Sequence, residues 1–141
     1  MRRAAALAIT LMLALTSPLA AQAPAGSPHA WLFGAWIGGL FPPPVTLSAQ
    51  ECLAQPMVIF TRDAMMRAVM TSPAYAQRLI DTARATASGF EVRLVPAQSV
   101  PEAGFGCADP NVLPVQRRGE NEISFPGCTD FPYPLIRCVT R

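Results

Sequence analysis

Four cysteines, Cys52, Cys107, Cys128 and Cys138, carry the most distinctive chemistry in the chain. They form no C-x-x-C pair and no histidine lies near any of them, so no metal ligand set is assigned. In an exported chain such cysteines read as disulfides. Four cysteines allow three connectivities. One of these, Cys107 with Cys128 and Cys52 with Cys138, would tie the first loop to the last strand; the others stay open. Each bridge closing a loop of tens of residues contributes about 3–4 kcal/mol by restricting the unfolded chain.

Nucleophilic catalysis needs an activated Ser, Cys or Thr beside a base. The single histidine, His29, falls in a Pro-rich stretch expected to be unstructured, and the cysteines are expected to be oxidised. No catalytic residue is assigned, and the expectation is a protein that is not an enzyme. Asp63, Asp81, Glu91, Glu102 and Asp109 could supply paired carboxylates, but acids so scattered are ordinarily solvated. Asp109-Pro110-Asn111 and Glu120-Asn121-Glu122 lack calcium-loop spacing, and Gly104-Phe105-Gly106 lacks the rest of a phosphate loop, so no cofactor is implied.

Binding chemistry is better represented. Phe125 to Pro134 is an aromatic, Pro-stiffened loop, and a loop of that kind binds at low entropic cost, which makes Phe131 and Tyr133 candidate partner-binding residues. The competing reading has both side chains covering one end of the core. Met57, Met65, Met66 and Met70 could line an adaptable apolar pocket or simply fill the core. Arg62, Arg67 and Arg78 could take a carboxylate ligand; ion pairs with Asp63, Asp81 or Glu91 are the plainer expectation.

The address is written at the N-terminus. Arg2-Arg3, an apolar run from Ala4 to Leu15 broken by Thr10, and small residues at Ala20-Ala21-Gln22-Ala23 have the three-part grammar of a secretory signal peptide over residues 1–23. The run is shorter than the roughly 20 residues a membrane span needs. Cleavage is expected between Ala20 and Ala23, delivering a bacterial periplasmic or secreted protein with no integral membrane span. The formal charge of +2 leaves with Arg2 and Arg3, which equalises acidic and basic residues. Nothing remains to steer the chain to phosphates, so nucleic acid is not expected as a partner.

Residues 24–30 read as a disordered linker and 31–141 as one small exported domain. Trp31 to Phe41 is an apolar run of strand length stopped by Pro42-Pro43-Pro44, and a long loop through Cys52 follows. Met57 to Arg62 and Ala64 to Met70 form a hairpin about Asp63. Residues 73–84 suggest a short helix: Ser72-Pro73 suits an N-cap and first turn, and Tyr75, Leu79, Ile80 and Ala83 share a helical face. The rival makes Leu79 to Thr86 a strand turned by Ala87-Ser88-Gly89 into Phe90 to Val95, where Phe90, Val92 and Leu94 alternate with Glu91 and Arg93. Beyond Pro96 the prolines permit only short strands, at residues 105–107, 115–118, 123–125 and 135–139. The fold expected is mainly β, a small antiparallel sheet or barrel held by disulfides, with α+β as the alternative.

Phe33-Gly34-Ala35-Trp36-Ile37-Gly38 resembles the Gly-x-Trp opening of lipocalin-like barrels and of small exported bacterial barrels such as alkaline protease inhibitors and related outer-membrane lipoproteins. The resemblance implies that Trp36 lies across the closed end of a barrel and that Arg137, from the last strand, packs over it, a contact worth about 0.5–2 kcal/mol. The functional expectation is non-covalent binding of an envelope or secreted protein, protease-inhibitor-like. The alternative is a carrier of small apolar ligands, with an enzyme third.

Overall fold

Phe90, Val92 and Leu94 are buried while Arg93 between them is exposed, the period-two pattern of a strand with one face on a core. A computed structural model describes residues 26–54, 57–69, 73–97 and 104–139 and places that strand fifth of eight. The strands are β1 (Gly34–Gly38), β2 (Val58–Phe60), β3 (Ala64–Ala68), β4 (Tyr75–Thr86), β5 (Gly89–Leu94), β6 (Val112–Arg117), β7 (Glu122–Ser124) and β8 (Leu135–Arg137). Each pairs antiparallel with the next, and β8 returns to β1 through Trp36↔Arg137 and Gly38↔Leu135, closing an up-and-down barrel. The lower pole is the end where β1 begins; the upper pole is where it finishes and where the long loops lie.

Inward residues fill the barrel. Trp36, Val58, Met65, Val92, Ile123 and Leu135 are completely inaccessible, and Phe60, Leu113 and Val115 nearly so. The inward side chains of a small barrel fill its interior, and these form one core cluster. Seven strands span three to six residues, short of the nine to eleven that a transmembrane strand needs. No helix among the described residues is long and apolar enough to cross a membrane.

Three expectations are corrected. The helix over 73–84 is absent: Tyr75 to Thr86 is the longest strand, pairing with β3 through Ala64↔Leu79 and with β5 through Thr86↔Gly89 (Ser72 lies outside the described residues). The shared helical face misled because, in the strand, Tyr75 and Leu79 point outward while Arg78 is buried. Two backbone neighbours and a tight turn outweigh a weak helical preference. Gly89 sits at φ +147°, and a Cβ there would come within 2.8 Å of the Val115 carbonyl.

The first strand is also shorter than the apolar run that announces it. Ala30–Leu32 forms a 3-10 turn, and β1 stops at Gly38. Nor is His29 part of an unstructured linker. Its ring is 4% exposed, Nε2–H donates to the Thr61 carbonyl at 3.2 Å, and Nδ1 lies 2.8 Å from the Ser27 hydroxyl. Both ring nitrogens are engaged within the fold. His29 thus pins residues 26–30 against the β2–β3 turn. The signal segment 1–23 lies outside the described residues.

An additional helix, α1 (Ala49–Ala54), occupies the loop after the triple proline. Its start is a capping box: Ser48 donates through N–H and hydroxyl to Glu51 Oε2 at 2.8 and 2.9 Å, and Glu51 N–H donates to Ser48 Oγ at 3.2 Å. Cys52 of α1 bridges to Cys138 beyond β8, and Cys107 bridges to Cys128, so no described cysteine is free.

Candidate functional site

Both poles of the barrel are sealed by an arginine on aromatic rings. At the lower pole Trp36 donates its indole N–H to the Leu32 carbonyl at 2.9 Å, and the Arg137 guanidinium lies 4.3 Å from the centre of the Trp36 ring. Arg137 also donates to the carbonyls of Phe33, at 2.5 Å, and Trp31. The 3-10 turn is thereby fixed across the barrel end. Burial draws the Arg137 pKa down, and nearby Arg117, itself 5.5 Å over Trp31, adds to that. Trp31 in turn meets Phe90 edge-on at 5.4 Å.

At the upper pole three rings converge: Phe105 lies 5.0 Å from Phe131 and 5.4 Å from Phe125. Arg67, on β3 and 7% exposed, reaches up from the interior to within 5.0 Å of the Phe131 ring and 5.6 Å of Phe105. It donates to the Gly104 carbonyl and lies 3.6 Å from the Asp130 carboxylate. Burial holds the Arg67 pKa below its usual value, and the Asp130 charge offsets this only in part. Arg78 is equally buried and ties β4 to the carbonyl of Val95 and to Asn111 Oδ1, at 3.0 and 2.8 Å. These two arginines therefore clamp loops, whereas Arg62 is an exposed partner of Asp63 at 3.8 Å.

Phe131 is consequently not a surface residue. It is 2% exposed, so the expectation that it contacts a partner is corrected: its ring is the plug that Arg67 and Phe105 need. Tyr133, two residues on, is 42% exposed. Met65 is core, Met57 packs half-buried against it, and Met66 is half-buried; Met70 lies outside the described residues.

What the upper pole does present is a pair of proline-stiffened loops, joined by backbone hydrogen bonds. Gly39 N–H donates to the Pro134 carbonyl at 3.1 Å and Tyr133 N–H to the Gly39 carbonyl at 2.9 Å. Gly39, at φ +86°, is required there, because a Cβ would overlap the Phe131 ring. Beside this junction Phe41, 61% exposed, overhangs a groove of about 380 Å³ lined by Ile37, Pro42, Pro44 and Met57. Glu51 stands at its edge. The two Ser48 hydrogen bonds hold the Glu51 carboxyl below the usual carboxylate range, so the groove carries a fixed negative charge at neutral pH.

Sequence reading missed this groove, although its parts carried signals. Ser48-x-x-Glu51 is a helix-start pattern, and Phe41 precedes three prolines. The mutual placement of the two Pro-rich loops depends on the closing of β8 against β1, which no local pattern encodes. Among the described residues no group of three or more His, Cys, Asp or Glu could hold a metal ion. No protein-family model, curated protein or solved structure matches this chain.

Proposed function

We propose that this chain is an exported protein that binds an envelope or secreted protein non-covalently, through the proline-stiffened rim of Phe41, Tyr133 and the adjoining groove. The observation that carries the reading is the coupling of exposure with rigidity. Phe41 and Tyr133 are 61% and 42% exposed, yet their loops are hydrogen-bonded to each other at Gly39. Aromatic side chains held in place before contact lose little entropy on binding and are the usual anchors of protein interfaces. The groove, apolar with one carboxylate, suits a partner segment in which an apolar side chain precedes a Lys or Arg.

The barrel is compatible with a lipocalin-like carrier. Against a carrier weighs the filled interior, where the inward side chains occupy the space a ligand would take. Against an enzyme weigh a histidine with both ring nitrogens engaged in the fold and cysteines held in disulfides. Export itself is supported by the N-terminal pattern and by the two bridges, which persist in an oxidising compartment. The narrower protease-inhibitor-like role would place the rim against a protease.

The test is site-specific photo-crosslinking in the native envelope from position 41, from position 133 and from position 120 as a distant control. The same protein adduct from the first two positions and not the third, lost on Glu51→Gln, supports the reading. Equal labelling from all three, or none from the rim, refutes it.

A further inference from the structure

Between β3 and β4 the wall of the barrel is open toward its lower end. Strand β4 pairs with β3 only through Tyr75 to Leu79, and the last bond on that side is Ile80 N–H to the Asp63 carbonyl at 2.9 Å. Below Ile80, after an irregularity at Asp81, β4 pairs with β5 alone. In a two-residue hairpin the pair flanking the turn, here Thr86 and Gly89, exchanges both backbone hydrogen bonds. Alternation then turns the N–H and C=O of Thr82 and Arg84 toward β5 and those of Ala83 and Ala85 the other way. Among the described residues nothing pairs with those two outward-facing residues on the β3 side.

We propose that the Thr82–Thr86 edge of β4 is a strand-addition site that accepts an extended segment of another protein, one carrying a carboxylate opposite Arg84. An unpaired edge offers main-chain affinity to any extended chain. The segment contains no proline, and apart from Arg84 its residues are the small Thr and Ala. Arg84 selects the occupant. Its side chain is 63% exposed and lies 3.0 Å from Glu91, which Arg93 also approaches at 3.5 Å, so two cations share one carboxylate. An added strand would set a residue directly beside Arg84 in a non-hydrogen-bonded pair, where side chains are closest. A second copy of this chain is disfavoured by the same charge: the antiparallel register that uses both Ala83 and Ala85 places Arg84 against Arg84. The site lies at the hairpin end, away from the Phe41 groove, and its test does not depend on the rim.

Amide hydrogen exchange of the full chain, read by NMR, tests it with two probes, acetyl-Thr-Val-Glu-Val-Thr-amide and its Lys counterpart. Exchange at Ala83 and Ala85 is expected to be fast in the protein alone and to slow by about tenfold or more with the Glu peptide at saturation. Arg84 N–H, already bonded to β5, should change little. The Lys peptide should protect less, and Arg84→Gln should remove the difference between the peptides. Ala85→Pro deletes one outward donor without touching the β5 ladder, and should abolish protection with an unchanged melting temperature. Protection of both amides without peptide, equal protection by the two peptides, or a dimer in sedimentation that competes with peptide would each overturn the proposal.

Discussion

Replacing Phe131 by Ala distinguishes a plug from a binding residue by the size of its effect. The side chain is 2% exposed and touches Phe105, Phe125 and Arg67. Removing a buried Phe costs about 3–5 kcal/mol in lost transfer energy and cavity. Arg67 then loses the nearer of its two rings, adding about 0.5–2 kcal/mol. The sum, about 3.5–7 kcal/mol, is a quarter or more of the stability of most domains. In urea under non-reducing conditions, with both bridges intact, the midpoint should fall by about 1 M or more at the slopes common for small proteins. Tyr133→Ala, by contrast, should cost under about 1 kcal/mol, because 42% of that side chain's residue surface is already in water. A cycle combining Phe131→Leu with Arg67→Met should show coupling of about 0.5–2 kcal/mol. A loss below about 1 kcal/mol for Phe131→Ala, or no coupling to Arg67, would refute the plug and restore Phe131 as a surface residue.

Two further outcomes follow from the same structure. The Cys52–Cys138 bridge spans 86 residues and Cys107–Cys128 spans 21, so paired Ser replacements should cost about 4–5 and about 3 kcal/mol respectively, read by urea unfolding. At the groove, the Ser48 hydrogen bonds depress the folded pKa of Glu51, so their contribution is complete above the unfolded value and is lost as pH falls through the folded one. The Ser48 amide resonance should therefore titrate with a midpoint below the ordinary glutamate value of about 4.3, and Ser48→Ala should bring the Glu51 titration back toward it.

The legibility of this chain in its sequence varies with how much of each element's pattern is local. Phe90 to Leu94 is readable because every second residue is buried. The β2–β3 hairpin is readable because apolar strands flank a short polar turn. Strand β4 is not, because its lower half extends past the core: Ala83 is half-buried and Thr82 and Arg84 to Thr86 are exposed, so no apolar alternation was selected there. The pairing of Trp36 with Arg137 was legible only through a resemblance. The burial of Phe131 was a matter of choosing between two readings of one loop. His29 was misread because its partner Thr61 lies 32 residues away and contributes a carbonyl, which every residue possesses.

The position of the Cys52–Cys138 bridge also decides how the chain responds to being pulled. Cys138 follows β8 directly, and Cys52 precedes β2. Tension applied between the N-terminal side of β1 and Val139 passes from Cys138 straight into Cys52. Residues 53–137, with β2 through β8, hang outside that path as a covalently closed loop. An unfolding machine drawing on the two ends could therefore extract β1 and part of α1, loading β2 and β8 only through their hydrogen bonds to β1. Reduction of the Cys52–Cys138 bond would extend the force to β2 through β5 and to β8, while β6 and β7 would stay inside the Cys107–Cys128 loop until the second bond is reduced as well.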